Sequence, residues 1–127
     1  MNPSILIVED EQAMRLLLRE FLEILGYNVI VAEQGQEAID ISRTAPVDLA
    51  SLDLNLPDMN GLELMQRLRA GGAVFPFVVL SANLRESFSG DVTPLGVREI
   101  LEKPVDLDVL ESVVKKILST AAGDAAA

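Results

Sequence analysis

The sequence predicts an α/β domain built on a doubly wound, five-stranded parallel sheet with strand order 2-1-3-4-5. Three observations lead there. Short apolar runs alternate with amphipathic segments along the whole chain. Its 127 residues make one domain, and half of them are apolar, enough to bury one sizeable core. Strands and helices alternating at this spacing give parallel strands joined by right-handed crossovers, with helices on both faces.

Taken in order, Ile5-Leu6-Ile7-Val8 is a continuous apolar run, the mark of a strand buried on both sides. An amphipathic helix follows, with Leu17, Leu18, Phe21, Leu22 and Leu25 apolar and Gly26 as its stop. Tyr27 to Ala32 reads as the second strand, and Ala38, Ile39 and Ile41 suit a helix from Gln34 to Arg43 that Pro46 ends. Leu49 to Leu54 is the third strand. Leu62, Leu64, Met65 and Leu68 form the next helix, closed by Gly71-Gly72. Phe77 to Leu80 is a fourth strand and Ile100-Leu101 a short fifth. Between them, Asn83 to Leu95 should hold a helix that Gly90 and Pro94 make short or distorted. The last helix has Asp106 as N-cap and one face of Leu107, Leu110, Val113, Val114, Ile117 and Leu118. The domain is expected over residues 1 to 120, with Ala121 to Ala127 a frayed tail or cut linker.

Composition narrows the chemistry. With no cysteine and no histidine, a thiolate nucleophile, a sulfur-bound zinc and an imidazole base are all excluded. Carboxylates, hydroxyls and lysines with hard cations remain. A net charge of −10 argues against direct binding to nucleic acid or to an anionic membrane surface. No stretch reaches the roughly 18 apolar residues of a membrane span, and Met1-Asn2-Pro3-Ser4 lacks the basic start of a signal peptide, so a cytoplasmic location is expected.

Position turns ordinary residues into a site. Glu9 and Asp10 end the first strand, and Asp53 sits at the carboxyl end of the third. In an open α/β sheet, ligands bind outside the carboxyl ends of strands where the strand order reverses. Three carboxylates converging there repel one another unless a cation is present, and an all-oxygen set suits Mg²⁺. A carboxylate held against a divalent ion is a reasonable nucleophile toward phosphorus. Ser81 and Lys103, ending the fourth and fifth strands, could bind the oxygens of an aspartyl phosphate.

Leu52-Asp53-Leu54-Asn55-Leu56-Pro57-Asp58-Met59-Asn60-Gly61 resembles the phosphoacceptor segment of the response-regulator receiver family, the CheY-like domains of two-component signalling. Val8-Glu9-Asp10, Leu80-Ser81-Ala82 and Glu102-Lys103-Pro104 are similar to that family's other three motifs, in order, so the resemblance covers about residues 4 to 120. It implies a flavodoxin-like (βα)5 fold. Carried over, it implies that Asp53 is phosphorylated by a phosphohistidine donor, a sensor histidine kinase or histidine phosphotransfer protein. Mg²⁺ would be held by Asp10, Asp53 and the backbone carbonyl of Asn55, with Glu9 acting through water. Ser81 would shift toward the phosphoryl group and Lys103 would pair with it. A downstream protein would read the switched surface, and the resemblance leaves a homodimer open.

The sequence departs from this pattern at Ile100, where the family usually carries a ring, and in the Asn83 to Leu95 segment. Both lie on the face through which the family commonly signals. Other readings make distinct demands. A haloacid-dehalogenase-like hydrolase needs an acid two residues after its nucleophile, where Asn55 stands. A flavodoxin-like cofactor binder needs a hydroxyl- and glycine-rich loop after the first strand, where two acids stand. A phosphorylation-independent adaptor on the same fold, and an N-terminal fragment of a longer regulator, stay as alternatives.

Overall fold

The computed structural model describes residues 2–82 and 92–126. Five strands, β1 (Ser4–Val8), β2 (Asn28–Ala32), β3 (Leu49–Asp53), β4 (Phe77–Ser81) and β5 (Val97–Glu102), form one parallel sheet. Their order is 2-1-3-4-5, the order expected for this domain. The helices are α1 (Gln12–Ile24), α2 (Gly35–Thr44), α3 (Gly61–Ala70) and α4 (Leu107–Ala126).

Alternation along each strand divides the core into two layers. Leu6, Val8, Ala50, Leu52, Phe77 and Val79 pack with Ala38 and Ile39 of α2 and Leu64, Met65 and Leu68 of α3. Ile5, Ile7, Leu49, Val78 and Leu80 pack on the other side with Leu18 and Leu22 of α1 and Leu110, Val114 and Ile117 of α4. Strands clothed on both faces have no solvent side, which is why β3 and β4 are buried from end to end.

The helix ends follow local chemistry. Asn60 caps α3, its side-chain oxygen accepting from the Glu63 amide at 2.8 Å. Asp106 caps α4, its Oδ1 accepting from the amides of Asp108 at 2.9 Å and Val109 at 3.3 Å, as the sequence implies. Gly26 leaves α1 in the left-handed region at φ 100°, where a side chain would be strained.

Two boundaries differ from the sequence reading by more than one residue. β5 begins at Val97, three residues before the expected Ile100, because Arg98 and Glu99 are exposed in this edge strand and give no apolar signal. α4 continues through Ala126, past the Ala121 at which a tail was expected; alanine is the strongest helix former. Of the helix expected within Asn83 to Leu95, residues 83–91 lie outside the described residues, and Thr93–Leu95 is a single 3-10 turn containing Pro94. That turn is tied back to α3. The Arg69 guanidinium donates to the carbonyls of Leu95 (2.5 Å), Ala73 (2.9 Å) and Phe75 (2.6 Å) and lies 4.0 Å from the Phe77 ring centroid. Among the described residues no helix is long and apolar enough to cross a membrane.

Candidate functional site

Because all five strands run the same way, the residues that end them share one edge of the sheet. β1 lies between β2 and β3, so the connections from β1 and β2 leave on opposite faces and open a crevice above the β1 and β3 ends. Register fixes the neighbours there: Val8 faces Leu52, Asp53 faces Leu80, and Ser81 faces Glu102.

The structure brings Glu9, Asp10 and Asp53 together, with one carboxylate oxygen from each inside a 4.8 Å span. Glu9 and Asp53 are buried, whereas Asp10 is exposed at the mouth. Lys103 reaches across from the end of β5, with its Nζ 2.9 Å from Glu9 Oε1 and 3.3 Å from Asp53 Oδ2. The second Glu9 oxygen accepts from the Glu11 amide at 3.2 Å, and Asp53 Oδ1 accepts from the Asn55 amide at 3.2 Å. Ser81 is buried at the end of β4, and its carbonyl accepts from the Lys103 amide at 2.8 Å, so hydroxyl and ammonium leave the same pair of strand ends.

The loop after Asp53 is held from both sides. Gly61 allows a close approach rather than a positive φ, since a Cβ there would lie 2.9 Å from Leu54 Cα. The Asp58 carboxylate spans to α2, accepting from the amides of Gly35 at 2.8 Å and Gln36 at 2.9 Å.

Charge is crowded here. Burial pushes the Glu9 carboxyl up from 4.5 to about 7; Lys103 pulls it down, and the negative charge of Asp53 adds to the rise. Desolvation acts to lower Lys103, but its hydrogen bond to Glu9 and the charges of Asp53 and Glu9 outweigh that and hold the ammonium above its ordinary value. Three acids against one ammonium leave a negative crevice. The donor set is all oxygen, which fits a hard divalent cation such as Mg²⁺.

Two contributors were not legible in the sequence. Arg15 is 9% exposed, and its Nη1 donates to the carbonyls of Glu9 (3.0 Å) and Asp10 (3.2 Å), while Nη2 pairs with Glu33 Oε1 at 2.9 Å. The signal that could have found it is its place three and seven residues before Leu18 and Leu22, the core-facing stripe of α1. Asp58 carries no such signal, because its partners are more than 20 residues away in sequence.

A doubly wound sheet with an acidic pocket at its carboxyl edge matches the site that the receiver resemblance implies, and relatives of the chain place it in the same class, the response regulators of two-component systems. The chain belongs to the response regulator receiver domain family, whose model matches residues 5–115. It is similar to two proteins of Bacillus subtilis. It is 36% identical to the alkaline phosphatase synthesis transcriptional regulatory protein PhoP over 93% of this chain and 49% of that one. With sporulation initiation phosphotransferase F the identity is 32%, over 93% of this chain and 95% of the other. The chain thus spans about half the length of PhoP and nearly all of the phosphotransferase. A solved CheY-like receiver domain from Methylobacillus flagellatus superposes with a TM-score of 0.82 at 34% identity, covering 92% of this chain and 99% of that one.

Proposed function

We propose that Asp53 is the phosphoacceptor, taking a phosphoryl group from a phosphohistidine on a sensor histidine kinase or histidine phosphotransfer protein. One observation carries this reading. Asp53 is a buried carboxylate at the sheet edge, clustered with Glu9 and Asp10 and 3.3 Å from an ammonium. Asp10, Asp53 and the backbone carbonyl of Asn55 would hold Mg²⁺, with Glu9 acting through water. The bound ion supplies positive charge that screens the carboxylate from the incoming phosphoryl oxygens.

The chain's own residues do the rest. A carboxylate oxygen of Asp53 forms the new P–O bond as the P–N bond to the donor imidazole breaks, leaving the nitrogen with the electron pair. The Asn55 amide holds the other Asp53 oxygen and so orients the attack. Lys103, which rests between Glu9 and Asp53 with its Nζ 3.3 Å from Asp53 Oδ2, would pair with the phosphoryl group on Asp53, and the Ser81 hydroxyl leaves the neighbouring strand end. Self-catalysed transfer and later hydrolysis both belong to this site. A cytoplasmic setting and a downstream protein that reads the changed surface complete the proposal.

The test is intact mass after incubation with acetyl phosphate. Wild type should gain one phosphoryl group in Mg²⁺ and none in chelator, and Asp53→Asn should gain none in either. Modification of Asp53→Asn to the wild-type extent, or equal modification with and without Mg²⁺, contradicts the proposal.

A further inference from the structure

The phosphoryl chemistry leaves the Arg15 guanidinium without a role, although it is the most deeply buried cation among the described residues. Its position faces the α1 core stripe that Leu18 and Leu22 continue, where an aliphatic side chain would pack without desolvating a charge. What the guanidinium does there is specific. Nη1 bridges the carbonyls of Glu9 and Asp10 at 3.0 and 3.2 Å, and Nη2 is held by Glu33 at 2.9 Å from the end of β2. Those two carbonyls belong to the turn at which the chain leaves β1 and its side chains diverge, Glu9 inward to Lys103 and Asp10 outward to the mouth. A planar fork presents donors at two fixed nitrogens, one to both carbonyls and one to the carboxylate, whereas an ammonium offers its three donors from a single nitrogen on a flexible stem.

We propose that Arg15 is a positioning residue for the cation site, fixing the Glu9-Asp10 backbone so that both carboxylates converge on Asp53, with Glu33 holding the fork in place. The proposal rests on the Mg²⁺ reading given above. Two effects of Arg15 on a bound cation oppose each other. Its positive charge repels a dication, so charge alone makes removal of Arg15 tighten binding. Its hydrogen bonds hold the ligands, so positioning makes removal weaken binding.

The test is calorimetric titration of the full chain with MgCl₂, for wild type, Arg15→Met, Arg15→Lys and Glu33→Gln, each well below its own melting temperature. Arg15→Met, which keeps the stem, should weaken Mg²⁺ binding roughly tenfold, the usual effect of losing a group that orients metal ligands. Arg15→Lys should restore only part of this, and Glu33→Gln should weaken binding less, since both carbonyl bonds survive. Unchanged or tighter binding in a folded Arg15→Met overturns the proposal and leaves Arg15 a packing residue. Should Arg15→Met fail to fold, Arg15→Lys decides, and wild-type affinity in that variant overturns the proposal equally. Wild type that binds no Mg²⁺ overturns the cation reading itself, and this role with it.

Discussion

Ser51 lies two residues before Asp53 on the same face of β3, and its Oγ is buried with no hydrogen-bond partner among the described residues. A buried hydroxyl left unpaired costs about 1–3 kcal/mol. Ser51→Ala should therefore raise stability by about 1 kcal/mol in denaturant unfolding, and a lower midpoint would show that the hydroxyl is paired. Glu9 gives a second expectation, this time in pH. A carboxyl raised in the fold from 4.5 to about 7 binds its proton more tightly folded than unfolded. Its contribution is full below about 4.5 and is lost as pH rises through about 7. Melting temperatures of the chelated protein should fall across that window, and Glu9→Gln should flatten the slope; a slope that survives the substitution assigns it to another group. At this scale the acids, the hydroxyl and the lysine were legible because each ends a recognisable apolar run. Arg15 and Asp58 were not, because their value lies in the backbone groups they reach across the fold.

Among the elements, α2 starts without a cap of its own: Gln34 makes no side-chain bond there, and Asp58 supplies the acceptor from the loop after β3. Desolvation acts to raise Asp58, but the amides of Gln36 and Gly35 outweigh it and hold the carboxyl below its ordinary value. Asp58→Ala should cost about 1 kcal/mol, as for loss of an N-terminal cap, and should speed hydrogen exchange at Gly35 and Gln36. Unchanged exchange at those amides would mean that α2 is held by its packing alone. The other elements show what periodicity can and cannot convey. Strands buried on both faces announce themselves as apolar runs, hence β1, β3 and β4. β5 was underestimated because half of it faces solvent, and the end of α4 because alanines carry no amphipathic pattern.

For the molecule as a whole, two apolar layers clamp a rigid sheet and leave its carboxyl edge free for chemistry. The acids come from the ends of β1 and β3, the lysine from beyond β5, and no two of these strands are consecutive in the chain. Convergence of this kind is a property of strand order: alternation and crossover handedness give a parallel sheet with helices on both faces, and the order 2-1-3-4-5 sets β1 beside β3. Ile100 packs against the α2–α3 side of the core from β5, so the departure seen in sequence sits beside the Lys103 end of the site, not within the acid cluster. The central claim is that Asp53 carries the phosphoryl group. An aspartyl phosphate is an acyl phosphate, which borohydride reduces, so trapping after incubation with acetyl phosphate and Mg²⁺ marks the modified carboxylate permanently. Peptide mass spectrometry should then find homoserine at position 53 and aspartate intact at positions 10 and 58. Homoserine at either of those positions, with Asp53 unmodified, would contradict the account.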